Sequence, residues 1–188
     1  MISQKKVFLE YEANNYFNRN KDFYIINGND PVIRILDLYK IVPKKVLEIG
    51  PAEGAGLFMF RDFFPNALIY GLEIDQERVN KLQGIVGIQV YKCDQSNRSQ
   101  LLDSLDDVLP GPMDLDLVID DGSHKTSDQL FSFLCIWPKA EMYIIEDVHE
   151  PEALEEMINL YTEHQYDVEV KKVGQRYDDC LIIVRHKK

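Results

Sequence analysis

Two short stretches place acids where apolar runs stop. "LVIDDGSHKT" (117–126) carries Asp120, Asp121 and, across a Gly-Ser pair, His124. "MYIIEDVH" (142–149) carries Glu146 and Asp147. An ionised carboxylate at the end of a buried strand is costly unless it binds something. Four carboxylates brought together repel, and their pKa values rise unless a cation sits among them. Oxygen donors favour a hard ion, magnesium first, with calcium or manganese open. The cysteines Cys93, Cys135 and Cys180 lie outside both stretches, which argues against zinc. A neutral His124 imidazole beside such an ion could take a proton from a hydroxyl, and the ion would stabilise the charge that develops. Plainer alternatives stand beside this. His124 could be a helix-end residue, and Glu146–Asp147 could serve the N-terminus of the helix that begins in "PEALEE". His149 is left unassigned, as a surface or rim residue.

A second constellation lies in "VLEIGPAEGAG" (46–56). The order Glu48-x-Gly50-x-Ala52-x-Gly54 lets a strand turn tightly into a helix and lets backbone approach a ligand. Glu73, 23 residues after Gly50, stands at the end of the next strand run, where a carboxylate can accept from two ribose hydroxyls. Asp94 ends the third run and is placed to meet an adenine amino group. The dinucleotide pattern G-x-G-x-x-G would fall on Gly50, Ala52 and Ala55, two glycines short. A strand-turn-helix with no ligand is the plain alternative.

These residues must be positioned by repeated strand and helix units. Apolar runs at 45–50, 68–73, 87–94, 115–121 and 142–147 have the character of strands covered on both faces. Between them, 75–84 opens with an acid and closes with glycine, as helices do. Phe131, Leu134 and Trp137, widened by Leu130 and Phe133, predict a helix stripe, as do Leu154, Met157, Ile158 and Tyr161 after Pro151. The aromatic group at 57–64 reads as core packing of the first helix in the sheet unit. "YDVEVKKV" (166–173) and "CLIIVRH" (180–186) are too close for a crossover helix and predict an antiparallel hairpin, with "RYDD" (176–179) in its loop. The expectation is a doubly wound α/β, mostly parallel, seven-stranded sheet with a C-terminal antiparallel hairpin. Strands four and five would be neighbours, so their terminal acids would converge. Residues 1–188 form one domain in this scheme: 45–188 hold the cofactor-binding sheet, and 1–44 form a helical cover broken at 27–31 before a helix over 32–41.

Composition narrows the classes. The chain has 188 residues, 45% hydrophobic and 28% charged, which suits one globular domain. A net charge of −11, with only scattered basic pairs, argues against nucleic acid as partner. No apolar run approaches the roughly 18 residues a membrane span needs. The N-terminus lacks an apolar signal core, so a cytoplasmic setting with reduced thiols is expected.

The stretches "EIGPAEG", "GLEID" and "CD" resemble the class I S-adenosylmethionine-dependent methyltransferases over about residues 45–186. The resemblance implies a Rossmann-like methyltransferase fold. Glu48, Gly50, Pro51, Ala52 and Gly54 would then lie under the methionine part of the cofactor, Glu73 at the ribose and Asp94 with Gln95 at the adenine, with Ile74 also among the cofactor-binding residues. Ala52 stands where glycine is commoner. "DDGSH" with "IIEDVH" narrows the likeness to the metal-dependent sugar O-methyltransferases of macrolide pathways and the cephalosporin hydroxylase-like group; catechol O-methyltransferase shares the plan more loosely. That resemblance implies Asp121, Glu146 and Asp147 as magnesium ligands, His124 as general base, and Asp120 facing the cofactor or supporting the ligands. The implied activity is methyl transfer from S-adenosylmethionine to a hydroxyl of a sugar or glycosylated small molecule, with no membrane span and a homo-oligomer left open. A dinucleotide-dependent oxidoreductase, a hydroxylase-type enzyme and a non-catalytic cofactor-binding domain are the rivals.

Overall fold

The computed structural model of the chain describes residues 31–108, 115–172 and 180–187. The expectations for residues 1–30 and for the "RYDD" loop lie outside the described residues. In chain order the elements are α1 (Pro31–Tyr39), β1 (Lys45–Ile49), α2 (Ala55–Phe63), β2 (Leu68–Glu73), α3 (Gln76–Leu82), β3 (Ile88–Lys92) and α4 (Arg98–Val108). Then follow β4 (Leu115–Asp120), α5 (Thr126–Ile136), a 3₁₀ turn (Trp137–Lys139), β5 (Ala140–Ile145), α6 (Pro151–Tyr161), β6 (Tyr166–Lys172) and β7 (Cys180–His186).

The strands form one seven-stranded sheet in the order β3-β2-β1-β4-β5-β7-β6. β1 to β5 pair in parallel, and β7 runs antiparallel to both β5 and β6. The expected hairpin is present, with β7 inserted beside β5 and β6 at the edge. Apolar residues on both pleat faces demand cover on both sides. Met142 and Ile144 of β5 belong to the core beneath α1, α2 and α3. Tyr143 and Ile145 belong to the opposite core, beneath α4, α5 and α6. Phe133 of α5, 0% exposed, packs edge-on against Tyr143 with ring centroids 5.3 Å apart. Truncating such a ring costs about 3–5 kcal/mol. Leu57, Phe58, Met59 and Phe60 of α2 are buried, as the aromatic group predicts.

Local chemistry sets the helix starts. Asp75 caps α3, its Oδ1 accepting from Glu77 N at 2.7 Å and Arg78 N at 3.3 Å. Such a cap contributes about 1 kcal/mol. α5 departs from its predicted stripe. Its inner face is Gln129, Ser132, Phe133 and Ile136, while Leu134 is 38% exposed. Two polar residues turned inward are what the apolar pattern did not foresee. In α6, Leu154 and Ile158 are buried and Tyr161 is 61% exposed, so that stripe is narrower than predicted.

Candidate active site

The register brings strand ends to one level. Ile49 of β1 lies opposite Asp120 of β4, and Asp120 lies opposite Ile145 of β5. Backbone bonds continue the pattern into the loops: Gly50 N to Leu72 O (2.8 Å), Asp121 N to Ile49 O (3.0 Å) and Glu146 N to Asp120 O (2.9 Å). The glycine turn, the Asp121 segment and the Glu146–Asp147 segment are therefore stitched together at the carboxyl edge of the sheet. Ligands of open α/β sheets bind at this edge.

The glycine turn has the strained backbone expected of it. Gly50, Ala52 and Gly54 all have positive φ, at 74°, 50° and 86°. Gly54 opens α2, and its N–H closes onto Pro51 O at 2.7 Å. Gly50's missing side chain makes room for neighbouring backbone: a Cβ there would stand 2.5 Å from Asp121 O and from Gly122 Cα. Glu48 is 0% exposed inside β1, and a Cβ on Gly56 would meet its Oε1 at 2.2 Å, so Gly56 leaves the space this carboxylate fills. Glu73, 2% exposed, accepts from Ala52 N (3.0 Å) and Asp75 N (2.8 Å), and Arg78 Nη1 approaches it at 3.9 Å. A carboxylate has about four acceptor positions, so two further donors can be taken. Ile74 beside it is 61% exposed, an apolar surface next to a polar one. Asp94 forms a local turn, its Oδ1 accepting from Ser96 N (3.0 Å) and Ser96 Oγ (2.7 Å).

Asp121, His124 and Asp147 form a group whose possible ligand atoms all lie within 4.8 Å of one another. His124 Nε2 is 3.4 Å from Asp121 Oδ1, and Nδ1 is 3.9 Å from Asp147 Oδ2. His124 and Asp147 both have left-handed backbone, φ 58° and 50°, which non-glycine residues rarely adopt. Strain of this kind gathers at functional sites. The hydrogen bond that His124 donates to the Asp121 carboxylate raises the His124 pKa above its ordinary value, burial opposes this, and the charges of Asp121 and Asp147 add to it. The surplus negative charge and the two carboxylates fit a hard cation. Glu146 follows β5 directly but is not in this group among the described residues. His149 stands edge-on to His124 with ring centroids 6.4 Å apart.

Beneath this group runs a buried polar network. Gln95 Nε2 donates to Asp120 Oδ1 (3.0 Å) and to Ser132 Oγ (3.0 Å), while Gln95 Oε1 accepts from Ser123 N (2.7 Å). Tyr143 OH donates to Asp120 Oδ2 at 3.3 Å. Asp120 is 0% exposed and Gln95 7%. Gln95 was expected at the adenine and Asp120 at the cofactor or in support of the ligands; here both side chains hold the loop Gly122–His124 against β4 and α5. Burial pushes the Asp120 carboxyl up to about 7, against hydrogen bonds from Gln95, Gly122 N and Tyr143. A pH prediction follows from the sign. Between its ordinary value of 3.8 and about 7, the folded protein holds a proton at Asp120 that the unfolded chain has released. Stability from this group therefore falls as pH rises through that window, by about 1.4 kcal/mol per pH unit. Asp120→Asn is expected to remove the slope. Calorimetric melting of both proteins from about pH 4 to 8 checks this; parallel curves would refute it.

The structure brings together Asp121, His124 and Asp147, three of the residues that the sequence patterns single out. Those patterns missed Gln129, Ser132, Ser123 and Tyr143, which support them. The available signal was polar residues on the inward face of α5, legible only once that face is known.

No family model matches the chain. It is 37% identical over 121 residues to the mycinamicin VI 2''-O-methyltransferase of Micromonospora griseorubida, an alignment covering 58% of the chain and 28% of that protein. It is 32% identical over 114 residues to the 8-demethyl-8-alpha-L-rhamnosyl tetracenomycin-C 2'-O-methyltransferase of Streptomyces olivaceus, covering 55% and 28%. The aligned segments thus span under a third of the length of these relatives. Among solved structures, the mycinamycin-pathway methyltransferase MycE in complex with Mg and SAH has a TM-score of 0.60 at 22% identity, over 98% of this chain and 48% of that one. An SAH-bound methyltransferase of Podospora anserina has a TM-score of 0.62 at 14% identity, over 100% of this chain and 89% of that one. The fold is the one these methyltransferases share.

Proposed function

We propose that the chain is an S-adenosylmethionine-dependent, magnesium-assisted O-methyltransferase acting on a hydroxyl of a sugar or glycosylated small molecule, with residues 1–188 as one domain. The observation that carries this is the Asp121–His124–Asp147 group, set beside the glycine turn and Glu73 on one sheet edge. The similarity to two sugar O-methyltransferases supports it. S-adenosylmethionine supplies an electrophilic methyl group, and magnesium supplies Lewis acidity toward the acceptor oxygen.

The chain's own residues do the rest. Glu73 receives the ribose hydroxyls, Ile74 offers apolar surface to the base, Asp94 meets the adenine amino group, and the Glu48–Gly54 turn carries the methionine part. Asp121 and Asp147, with Glu146, would hold the ion. His124 accepts the proton of the acceptor hydroxyl. Asp120 and Gln95 keep the His124 loop in place from below. An oxidoreductase would share Gly50 and Glu73 but would leave the Asp121–His124–Asp147 group without a task. The charge of −11 supports a small-molecule acceptor rather than nucleic acid. Three free cysteines support a reducing, cytoplasmic setting. No helix among the described residues is long and apolar enough to cross a membrane.

The test is calorimetric titration with S-adenosylhomocysteine and with NAD, followed by transfer of labelled methyl groups to glycosides with magnesium or EDTA. NAD binding with no S-adenosylhomocysteine binding would overturn the proposal, as would full transfer in EDTA. Glu73→Ala is expected to weaken S-adenosylhomocysteine binding by about 1.5–3 kcal/mol through lost charge-assisted hydrogen bonds. Equal affinity in the folded variant would remove the ribose role.

A further inference from the structure

Gln129 is 0% exposed on the inner face of α5. Its Nε2 donates to the backbone carbonyl of Glu146 at 3.0 Å. Its Oε1 is buried with no hydrogen-bond partner among the described residues. An orphaned buried acceptor costs folding free energy, and a methionine or leucine of similar volume would avoid that cost. A polar group retained at such a cost in a core position calls for a role beyond packing. The role is visible in what it grips. Residue Glu146 is held on its other side by its backbone N–H, which donates to Asp120 O at 2.9 Å. Gln129 closes the second side. It sits five residues after His124, on the helix that continues from the His124 loop, and reaches across to the residue before Asp147. A second tie, Thr126 Oγ1 to Glu150 Oε2 at 2.8 Å, spans the same gap at the exposed rim.

We propose that Gln129 is a positioning residue: it pins the Glu146–Asp147 turn to the helix that follows His124, and so sets the spacing of the Asp121–His124–Asp147 group. The left-handed backbone of Asp147, φ 50°, is the conformation that this grip maintains. The consequence for ion binding rests on the proposed function above; the pinning of the turn does not.

The experiment therefore has two arms, each on the full chain. Hydrogen exchange is measured on the ion-free protein, wild type against Gln129→Met, which keeps the volume and removes the donor. Gln129→Asn, one methylene shorter, provides a second variant. Exchange at the amides of residues 146–148 is expected to speed up about tenfold, the effect of losing one net hydrogen bond, while β1 and β2 amides are unchanged. Manganese affinity is then measured by calorimetry beside S-adenosylhomocysteine affinity. Ion affinity is expected to fall about tenfold, with S-adenosylhomocysteine affinity unaltered. Unchanged exchange at 146–148 in both folded variants would overturn the assignment. So would a uniform rise in exchange with a lower Tm, which would make Gln129 ordinary core. If the wild type binds no manganese, the metal reading fails by itself, and the exchange arm still decides the role of Gln129.

Discussion

Under the proposed function, a His124→Ala variant is expected to transfer methyl groups roughly 10² to 10⁴-fold more slowly than the wild type, the range that a positioned general base supplies. S-adenosylhomocysteine and ion affinities should be kept. His124 stands between Asp121 at 3.4 Å and Asp147 at 3.9 Å, with about a third of its side chain open to solvent. The same carboxylates hold its pKa above the ordinary value in the ion-free protein. A base must first lose that proton, so the wild-type rate should climb with pH as His124 deprotonates, and the variant's profile should lack that limb. Linkage gives a second readout. A histidine whose folded pKa is raised stabilises the fold fully below its unfolded value, and this stabilisation is lost as pH rises through the folded value. His124→Ala should therefore lower Tm in mild acid and not at high pH. Wild-type turnover in the variant would reduce His124 to a loop residue.

The second large effect is expected at Gly50. Gly50→Val should destabilise the protein by about 4 kcal/mol or more, among the exceptional values for a single substitution. Two causes combine. A φ of 74° is unfavourable to any residue with a Cβ, and more so to a branched one. The Cβ would also stand 2.5 Å from the backbone at Asp121 and Gly122, and backbone cannot swing aside as a side chain can. The damage would separate β1 from β4 at the level of the site. Gly84→Ala isolates the first cause: its φ is 80° and nothing lies within 4 Å of the added carbon. It should cost only about 1–2 kcal/mol, the price of left-handed backbone alone. Denaturant unfolding of the two variants would compare them. Similar losses would show that the close approach at Gly50 is relieved cheaply.

Much of the frame was legible in the chain alone. Runs such as "KVLEIG" and "LDLVIDD" are apolar on both faces, so they had to be covered strands, and parallel strands put their ends on one edge. Glu73, Asp121, Glu146 and Asp147 were therefore assigned to that edge from their places after such runs. The hairpin at 166–186 followed from a connection too short for a helix. Those conclusions depend on period and order, which one dimension carries.

Which way each side chain points beyond a strand end depends on φ and ψ of one or two loop residues, and neighbouring elements set these. Asp120 and Asp121 are adjacent in sequence, yet Asp120 is buried against Gln95 and Tyr143 while Asp121 meets His124. The alternation of the pleat separates them, and only the packing of α5 decides which one is sealed. His124 and Asp147 both adopt left-handed backbone, a state the residue types do not announce. Gly50 was legible as a turn, but that the backbone of the loop after β4 occupies the space beside it was not. Gln129 and Ser132 read as ordinary polar helix residues until α5 is rotated onto the sheet with both at 0% exposure. Periodicity places the helix, whereas the depth of each face is set by contacts between strands and helices that are far apart in the chain.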